Sequence, residues 1–363
     1  MNGIYALIKL LPVQKKITMI SRQSNEPSVE FQMVKKEIEA QDAGVKTVIL
    51  CRTLDGGVNS SLSGKIKYFF HMFTQMYHIA TSQVVLLDSY CIVVSILRHK
   101  KTLTVVQMWH SMGTMKKFGY TTLDTAEGSR HELAYAMKMH RNYDYIFASA
   151  EAYKEHLASG FNCDTNKIIT MPLPRLDLLN SKEYEADIRS RIYNKYPELQ
   201  DKPVIVYCPT FRKDESEFVG ALKDLEEHVD YNKYHLVVKL HPLSKTKPEG
   251  NVILAEEFSS FDMLFVADYV ISDYSCIVYE AAVRGIPLFF YNFDMKLYED
   301  GRGLAVDYYG ELPGVISSNV SAIMKGIGED YDMERLKQFA DKYVRPTEHA
   351  TEDIVQFLLQ FMR

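Results

Sequence analysis

The segment at residues 268–291, DYVISDYSCIVYEAAVRGIPLFFY, predicts a complete βαβ unit. An apolar run at residues 269–272 stops at a polar turn, helical spacing follows at residues 276–284, and a second apolar run ends at Tyr291. The start of such a helix offers free backbone N–H groups and the positive end of the helix dipole, with the Ser275 hydroxyl beside them. This turn would suit a diphosphate. The alternative is that Ser275 only caps the helix.

Composition excludes several classes of protein. With 363 residues, 47% of them hydrophobic and 25% charged, the chain is long enough for two globular domains of ordinary size. A formal net charge of -5 argues against a general nucleic-acid-binding protein. The 5 cysteines form no CxxC or zinc-ligand spacing, which predicts buried thiols in a reducing cytosol. No run approaches the roughly 20 apolar residues that span a bilayer.

The rest of the chain alternates short apolar runs with amphipathic ones, which predicts parallel sheets covered by helices on both faces. Strands are predicted at residues 17–20, 46–51, 84–87, 104–109, 145–148 and 168–171, and then at 204–207, 235–240, 252–254, 269–272 and 288–291. The expected fold class is α/β, with two doubly wound Rossmann-like domains facing a cleft. The predicted divisions are a domain at 1–180, a linker at 181–202, a domain at 203–345 and a C-terminal helix at 346–363.

One histidine follows a predicted strand of the first domain. His110 comes directly after residues 104–109, so it should lie at the carboxyl end of the sheet, where open α/β sheets bind ligands. A histidine with an ordinary pKa near 6.5 can take a proton from an alcohol at neutral pH. Lys116 and Lys117 follow, and they would favour a phosphate nearby. The alternative is a histidine satisfied by a backbone carbonyl beside two solvated lysines.

Three strand ends of the second domain carry donors that suit phosphate. Thr210 and Arg212 follow one predicted strand, His241 follows the next, and Ser275 follows a third. A guanidinium group binds phosphate oxygens in a bidentate manner. Three such ends in one domain favour an anion-binding edge over coincidence.

Further polar residues lie downstream. Glu280 lies a little over one turn after Ser275, where it would accept hydrogen bonds from a ribose or form a solvated or ion-paired helix carboxylate. Asp294 follows the last predicted strand, and Arg302 lies in a glycine-flanked loop that suits a mobile phosphate-closing role. The signatures GxGxxG, GxxxxGK[ST], HExxH and GxSxG are absent, and no compact acidic triplet indicates a metal site. These absences argue against nicotinamide chemistry, NTP hydrolysis and serine-esterase chemistry.

The N-terminal segment IYALIKLLPV has no basic region before it and no cleavage site after it, so it does not predict a signal peptide. One side of a helix here would be apolar, with lysines nearby, which predicts an interfacial helix. The residues concerned are Ile4, Leu7, Ile8 and Leu11, with Lys9, Lys15 and Lys16. A docked surface helix is the alternative.

Six motifs occur in order along the chain: WHSMGTMKKFG, YCPTFR, VVKLHP, ISDYSCIVYEAA with GIPLFFY, FD with RG, and VDYYGELPG. Together they resemble the CDP-glycerol glycerophosphotransferase family of wall teichoic acid synthesis, whose relatives include enzymes that use CDP-ribitol. The resemblance implies a GT-B-like fold, a CDP-glycerol or CDP-ribitol donor, no further cofactor, and an acceptor glycan linked to a polyprenyl diphosphate. It also implies peripheral attachment to the cytoplasmic face of the cell membrane. The domain at 1–180 would face acceptor and membrane, and the domain at 203–345 would bind the donor.

The resemblance also implies roles for individual residues. His110 would be the catalytic base, with Ser111, Lys116 and Lys117 on the acceptor and phosphate side, and His241 would act at the donor phosphates. The donor cleft would contain Thr210, Arg212, Ser275, Cys276, Glu280, Asp294 and Arg302. Ser111 stands where glycine is common in the family, and Cys276 stands where a second serine is common. The lack of a long extra N-terminal region favours a primase or a short-chain transferase.

The sequence is therefore interpreted as a transferase that moves a polyol phosphate from a CDP-polyol to a hydroxyl of a lipid-linked glycan or polyol-phosphate chain and releases CMP. His110 would remove the hydroxyl proton, while His241, Arg212 and the turn at Ser275 would offset charge on the phosphates. Two alternatives stay open: a GT-B glycosyltransferase that uses a nucleotide sugar, and a non-catalytic lipid-glycan or nucleotide-binding module. The sequence leaves the polyol open.

Overall fold

The computed structural model describes residues 1–42, 44–53 and 62–362, and its contacts divide the chain into two compact units. Unit 1 comprises Met1–Ser111, Phe118–Asp177 and Thr347–Arg363, and unit 2 comprises Met112–Lys117 and Leu178–Pro346. The chain therefore enters unit 2 twice, the first time for six residues only. The functional division predicted for residues 1–180 and 203–345 stays a prediction.

Each unit is built on one parallel sheet. The strands of unit 1 are β1 (Lys16–Ser21), β2 (Lys46–Cys51), β3 (Val84–Leu87), β4 (Thr104–Gln107), β5 (Tyr145–Ala148) and β6 (Ile168–Thr170), in the order β2-β1-β3-β4-β5-β6. The strands of unit 2 are β7 (Val204–Cys208), β8 (His235–Val238), β9 (Tyr269–Ser272), β10 (Leu288–Tyr291) and β11 (Ile316–Ser317), in the order β11-β10-β9-β7-β8. Both orders are those of doubly wound sheets, so the carboxyl ends of the strands in one sheet share one edge.

Helices connect the strands in both units. In chain order they are α1 (Asn2–Ile8), α2 (Val29–Gln41), α3 (Leu62–Ala80), α4 (Ile92–Ile96), α5 (His131–Ala136), α6 (Lys154–Phe161), α7 (Arg175–Asn180), α8 (Lys182–Lys195), α9 (Ser216–His228), α10 (Ser260–Met263), α11 (Ile277–Val283), α12 (Met295–Gly301), α13 (Tyr308–Glu311), α14 (Val320–Ile327), α15 (Met333–Tyr343) and α16 (Ala350–Leu359). The last helix, α16, packs on α2 and so belongs to unit 1.

Burial on both faces explains why β3 is apolar throughout, whereas β1 also buries the polar side chains of Lys16, Thr18 and Ser21. All residues of β1 and β3 are buried, as expected for the middle of a parallel sheet. In unit 2 the side chains of β7, β8 and β10 pack with those of α9 and α14 in one apolar cluster. Of the cysteines, Cys91 and Cys208 are buried, but Cys51, Cys163 and Cys276 are only partly so, and the prediction of buried thiols is wrong for these three.

The predicted strand at residues 252–254 is wrong. Only a single β-bridge, between Val237 and Ile253, forms there. The buried Lys239 ammonium donates to the carbonyl oxygens of Leu254, Ala255 and Phe258 at 3.0, 2.7 and 2.6 Å. Because these carbonyl groups turn toward Lys239, they do not pair with a neighbouring strand. Ala255 adopts a left-handed φ of 43°, which turns the chain away from the sheet.

The N-terminal helix exists, but its predicted lysine set is wrong at one position. Leu7 is 70% exposed on α1, whereas Lys16 is the first residue of β1 and is fully buried. The Lys16 ammonium donates to the Thr81 hydroxyl at 2.6 Å, and burial lowers its pKa to about 8, with Lys46 adding in the same direction. Lys16 therefore cannot contact a membrane.

Candidate active site

The residue pair at the end of β4 has an unusual backbone. Trp109 adopts a left-handed φ of 70°, a conformation that is costly for a non-glycine residue, and its N–H donates to the Gln107 side chain at 2.9 Å. The bend brings the His110 Nδ1 to within 3.1 Å of the backbone carbonyl oxygen of Asp88, the residue after β3. A carbonyl can only accept, so Nδ1 carries the proton and Nε2 is the basic nitrogen of the neutral ring. His110 lies at the predicted sheet edge, and it also has the backbone carbonyl partner of the alternative interpretation, so its role as a base stays a prediction.

His110 lines a recess at the carboxyl ends of β1, β3 and β4. The recess has a volume of about 180 Å³. Met108 and Trp109 supply its apolar wall. Its polar residues are Gln23, Ser28, Glu30, Asp88, His110 and Arg175.

Two titratable groups of the recess have shifted pKa values. Desolvation lowers the pKa of His110, Arg175 adds in the same direction, and the Asp88 carbonyl and Glu30 oppose it. His110 therefore stays neutral, and able to accept a proton, at neutral pH. Burial raises the pKa of Asp88 to about 6, although hydrogen bonds from Ser21 and Ser89 oppose the shift.

Arg212, the residue expected to bind phosphate, lies between two buried carboxylates of unit 2. Its Nε and Nη2 donate to the two carboxylate oxygens of Asp294 at 2.6 and 2.9 Å, and its Nη1 lies 2.8 Å from the Asp273 carboxylate. Nη1 also donates to the Thr210 carbonyl at 2.6 Å. Burial disfavours the charged guanidinium, but Asp273 and Asp294 more than offset this and raise the pKa of Arg212. The guanidinium group therefore links the residues that follow β7, β9 and β10.

Asp273 is the centre of this network, and the sequence interpretation gave it no role. Its carboxylate is fully buried and accepts from the Thr210 backbone N–H at 2.9 Å and from the Tyr274 N–H at 2.5 Å. The Tyr274 hydroxyl donates to Asp294 at 3.1 Å. The sequence contains a signal for this role, because an aspartate that directly follows a buried strand needs a hydrogen-bond or cation partner.

The turn after β9 differs in detail from its prediction. Helix α11 begins at Ile277, and Cys276, not Ser275, is its N-terminal flanking residue, with no side-chain cap. No hydrogen bond to Ser275 is present within the described residues, so the interpretation of Ser275 as a helix cap is wrong. Glu280 is 2% exposed, which rules out the solvated-carboxylate alternative. Its ribose-binding role stays a prediction.

Lys116 and Lys117, expected on the acceptor side with His110, belong to unit 2. Lys117 donates its backbone N–H to Gly303 at 3.1 Å, and the Arg302 Nε donates to the Lys117 carbonyl at 3.2 Å. Lys116 pairs with Leu304 in an antiparallel bridge. The six-residue segment 112–117 therefore brings two lysines to the loop that carries Arg302.

The Lys116 ammonium lies among the residues predicted for the donor site. Its Nζ donates to the Thr210 hydroxyl at 3.1 Å and lies 5.7 Å from the centre of the Tyr298 ring. Desolvation lowers the pKa of Lys116 to about 8, with Cys276 and Asp273 opposing the shift and Arg302 adding to it. Lys116 is therefore charged at neutral pH and close to its titration range.

His241 lies near this group on an anchored loop. Its exposed ring packs against Phe211 with ring centres 5.0 Å apart, and desolvation followed by the charge of Lys116 lowers its pKa. Glu215 fixes the loop, because its carboxylate accepts from the Ser244 hydroxyl and from the backbone N–H groups of Lys245 and Thr246. The structure thus brings Lys116, Thr210, His241 and Arg302 together in unit 2.

Sequence reasoning missed the acidic side of the unit 1 recess. Glu30, in the first turn of α2, is 4% exposed and pairs with Arg175, the first residue of α7. The two lie 145 positions apart in the chain, so no local pattern connects them. Within the described residues, no group of three or more His, Cys, Asp or Glu side chains is placed to hold a metal ion.

Comparisons with known proteins agree with this architecture. The family described as CDP-Glycerol:Poly(glycerophosphate) glycerophosphotransferase matches residues 4–360. The teichoic acid ribitol-phosphate primase of Bacillus spizizenii is 29% identical over 98% of this chain and 94% of that protein. The teichoic acid poly(ribitol-phosphate) polymerase of the same organism is 28% identical over 92% of this chain, but the match spans only 54% of that protein. A solved structure of the wall teichoic acid polymerase TagF superposes with a TM-score of 0.75, at 18% identity, over 99% of this chain and 93% of that chain.

The two doubly wound sheets and the superposition define a GT-B-like two-domain fold. Because the family match covers almost the whole chain, the chain belongs to the CDP-glycerol:poly(glycerophosphate) glycerophosphotransferase family. It is accordingly an enzyme of the CDP-polyol phosphotransferase type. The predicted family, fold and enzyme class are confirmed.

Proposed function

We propose that this chain transfers glycerol phosphate or ribitol phosphate from the CDP-polyol to a hydroxyl of a lipid-linked glycan. The hydroxyl oxygen forms a bond to the phosphorus that carries the polyol, and the bond from that phosphorus to the bridging oxygen breaks. CMP leaves with the bridging oxygen. The hydroxyl proton goes to Nε2 of His110, the basic nitrogen of that ring.

The observation that supports this most is the group of donors around Lys116. A loose phosphoryl-transfer transition state needs positive charge and hydrogen-bond donors far more than covalent chemistry. Lys116, Arg302 and His241 can supply both at one edge of the unit 2 sheet, with Thr210 hydrogen-bonded to Lys116. We assign the donor phosphates to these residues and to the backbone N–H groups at Ser275 and Cys276.

Arg212 and Asp294 have a different role in this proposal. Their ion pair, together with Asp273, holds the ends of three strands in register, so that Thr210 and the turn at Ser275 keep their positions. Arg212 is therefore a positioning residue rather than a phosphate ligand.

The experiment is a donor panel. Purified protein is given a lipid-linked disaccharide analogue with CDP-glycerol, CDP-ribitol or a UDP-sugar, and products and CMP are followed by mass spectrometry. We expect a product larger by one polyol phosphate, with stoichiometric CMP, from at least one CDP-polyol. Transfer from the UDP-sugar alone would overturn the proposal in favour of glycosyl transfer.

We also propose peripheral membrane attachment through α1 and α3. These helices pack on each other in unit 1, and both expose large apolar side chains. Exposure reaches 81% for Leu10, just after α1, and 64% for Phe70 on α3. The set is Ile4, Leu7, Leu10, Leu11, Leu62, Ile66, Phe69 and Phe70, with the exposed Lys65 and Lys67 beside it. Apolar side chains flanked by lysines are typical of a surface that enters an anionic lipid interface. Within the described residues no helix is long and apolar enough to cross a membrane.

Sedimentation with vesicles tests the attachment. We expect binding to anionic vesicles that salt weakens, and much weaker binding for the double variant Phe69→Ser/Phe70→Ser. Val219→Ser, which removes an exposed apolar side chain from α9 in unit 2, is the control. Equal binding by the double variant and the control would show that α3 is not the membrane surface.

A further inference from the structure

The recess beside His110 contains more carboxylates than cationic side chains. Glu30 and Asp88 are 4% and 3% exposed, and Arg175 is the one arginine or lysine among the described lining residues. His110 is neutral at neutral pH because desolvation lowers its pKa. A phosphate group placed here would meet two buried carboxylates, and like charges at short range repel each other.

Arg175 offsets the charge of Glu30 through an ion pair, so Asp88 is the carboxylate that has no cation partner among the described lining residues. The Arg175 Nε and Nη2 both contact Oε1 of Glu30. No described residue donates to Oε2 of Glu30, so that oxygen can accept a hydrogen bond from a bound hydroxyl. Asp88, whose Oδ1 accepts from the Ser89 hydroxyl at 2.8 Å, adds a second acceptor to the wall.

The start of α2 is also unfavourable for an anion. A helix N-terminus usually attracts anions, but Glu30 occupies its first turn and the Ser28 hydroxyl caps it by accepting from the Phe31 N–H at 3.2 Å. On the other side, Met108 and Trp109 offer an apolar surface. Acceptor oxygens opposite an apolar wall suit a molecule with hydroxyl groups on a carbon skeleton and no charge.

We infer that this recess binds one uncharged polyol or sugar unit, the hydroxyl-bearing end of the acceptor, and that Glu30 selects it by accepting a hydrogen bond from one of its hydroxyls. Assigning this unit to the acceptor rests on the proposed transfer. The recess, with a volume of about 180 Å³, has room for one such unit. Any phosphate of the acceptor lies outside the recess, and Arg175 positions Glu30.

Trp109 makes the inference testable without turnover. It is the single tryptophan of the chain and lines the recess, so intrinsic fluorescence reports on this site. Whole protein is titrated with ribitol, glycerol and methyl mannoside, and in parallel with ribitol 5-phosphate, glycerol 3-phosphate, mannose 6-phosphate and inorganic phosphate. We expect a saturable change with at least one neutral compound, and about ten-fold or more weaker binding of its phosphate counterpart.

Glu30→Gln should lower the affinity for the neutral compound about ten-fold, the scale of a lost hydrogen bond to a charged group. It should also reduce the difference in affinity between the neutral compound and its phosphate counterpart. Glu39→Gln, on the exposed face of the same helix, is the matched control and should change neither value. If Glu30→Gln does not fold, Asp88→Asn replaces it, because Ser21 and Ser89 can reorient toward an amide.

Three outcomes would overturn the inference: equal or tighter binding of the phosphate counterpart, no saturable signal with any neutral compound, or unchanged affinity in the folded carboxylate variant. The donor panel decides the transferase proposal separately. If no CMP is released, the result of the fluorescence titration is unaffected. If the fluorescence titration shows no binding, the result of the donor panel is unaffected.

Discussion

The sheet edge of unit 1 and the sheet edge of unit 2 hold their polar residues in opposite ways. After β4, His110 has one fixed partner, the Asp88 carbonyl at 3.1 Å, and its other ring nitrogen is available for chemistry. After β7, Arg212 makes contacts of 2.6 to 2.9 Å with Asp294, Asp273 and the Thr210 carbonyl. The comparison teaches that a charged residue at a strand end, such as Arg212, can have a purely structural role. A neutral residue with one unpaired polar atom, such as His110, is the better candidate for catalysis.

The largest expected effect is on turnover at the unit 1 edge. His110→Ala should lower kcat by roughly 10²–10⁴-fold, as for the loss of a general base, with the affinity for CDP nearly unchanged. Steady-state kinetics and calorimetry measure the two quantities. His131→Ala, at an exposed histidine of unit 1, should keep full turnover. Full turnover in His110→Ala would show that His110 is not the catalytic base, and the unit 1 edge would then not differ from the unit 2 edge in this respect.

The next effect is on stability at the unit 2 edge. Arg212→Ala leaves two buried carboxylates without their cation, so it should lower the free energy of unfolding by about 3–5 kcal/mol. Arg212→Lys should also destabilise, because an ammonium cannot replace a bidentate guanidinium. Denaturant titration measures both against Lys223→Ala, a change at an exposed lysine. Normal stability with lost CDP binding would make Arg212 a phosphate ligand after all.

A smaller effect concerns donor affinity. Lys116→Met should cost CDP about 1.5–3 kcal/mol of binding free energy, because charge-assisted bonds to phosphate are lost, and should scarcely change the affinity for cytidine. Calorimetry with the two ligands tests this, with Lys223→Met as control. Equal losses for CDP and cytidine would place Lys116 outside the phosphate site.

The smallest effect is a pH dependence of donor binding. The pKa of Lys116 lies at about 8, so the ammonium is charged below that pH and loses its charge as the pH rises through it. Affinity for CDP should therefore fall above about pH 8. Lys116→Arg, which stays charged, should bind CDP with no such fall. A pH-independent affinity in the natural sequence would show that Lys116 does not meet the phosphates.

Much of the fold could be predicted from local pattern. The strands at residues 46–51, 84–87, 145–148, 269–272 and 288–291 have the predicted bounds, because each is an apolar run between polar turns. Patterns failed where a distant group intervened. Lys239 holds the carbonyls of Leu254, Ala255 and Phe258, and so ends a strand that composition alone favours at 252–254.

By itself the sequence determined the two parallel sheets, the placement of His110, Thr210, His241 and Ser275 at strand ends, and the family. These follow from periodicity and from short motifs, which are local. Only the tertiary structure decided that Arg212 is neutralised by Asp273 and Asp294, that Lys116 belongs with Thr210, and that Glu30 and Arg175 meet beside His110. The physical reason is that pairing of buried charges depends on which strand and helix ends come together in space, and spacing along the chain does not encode it.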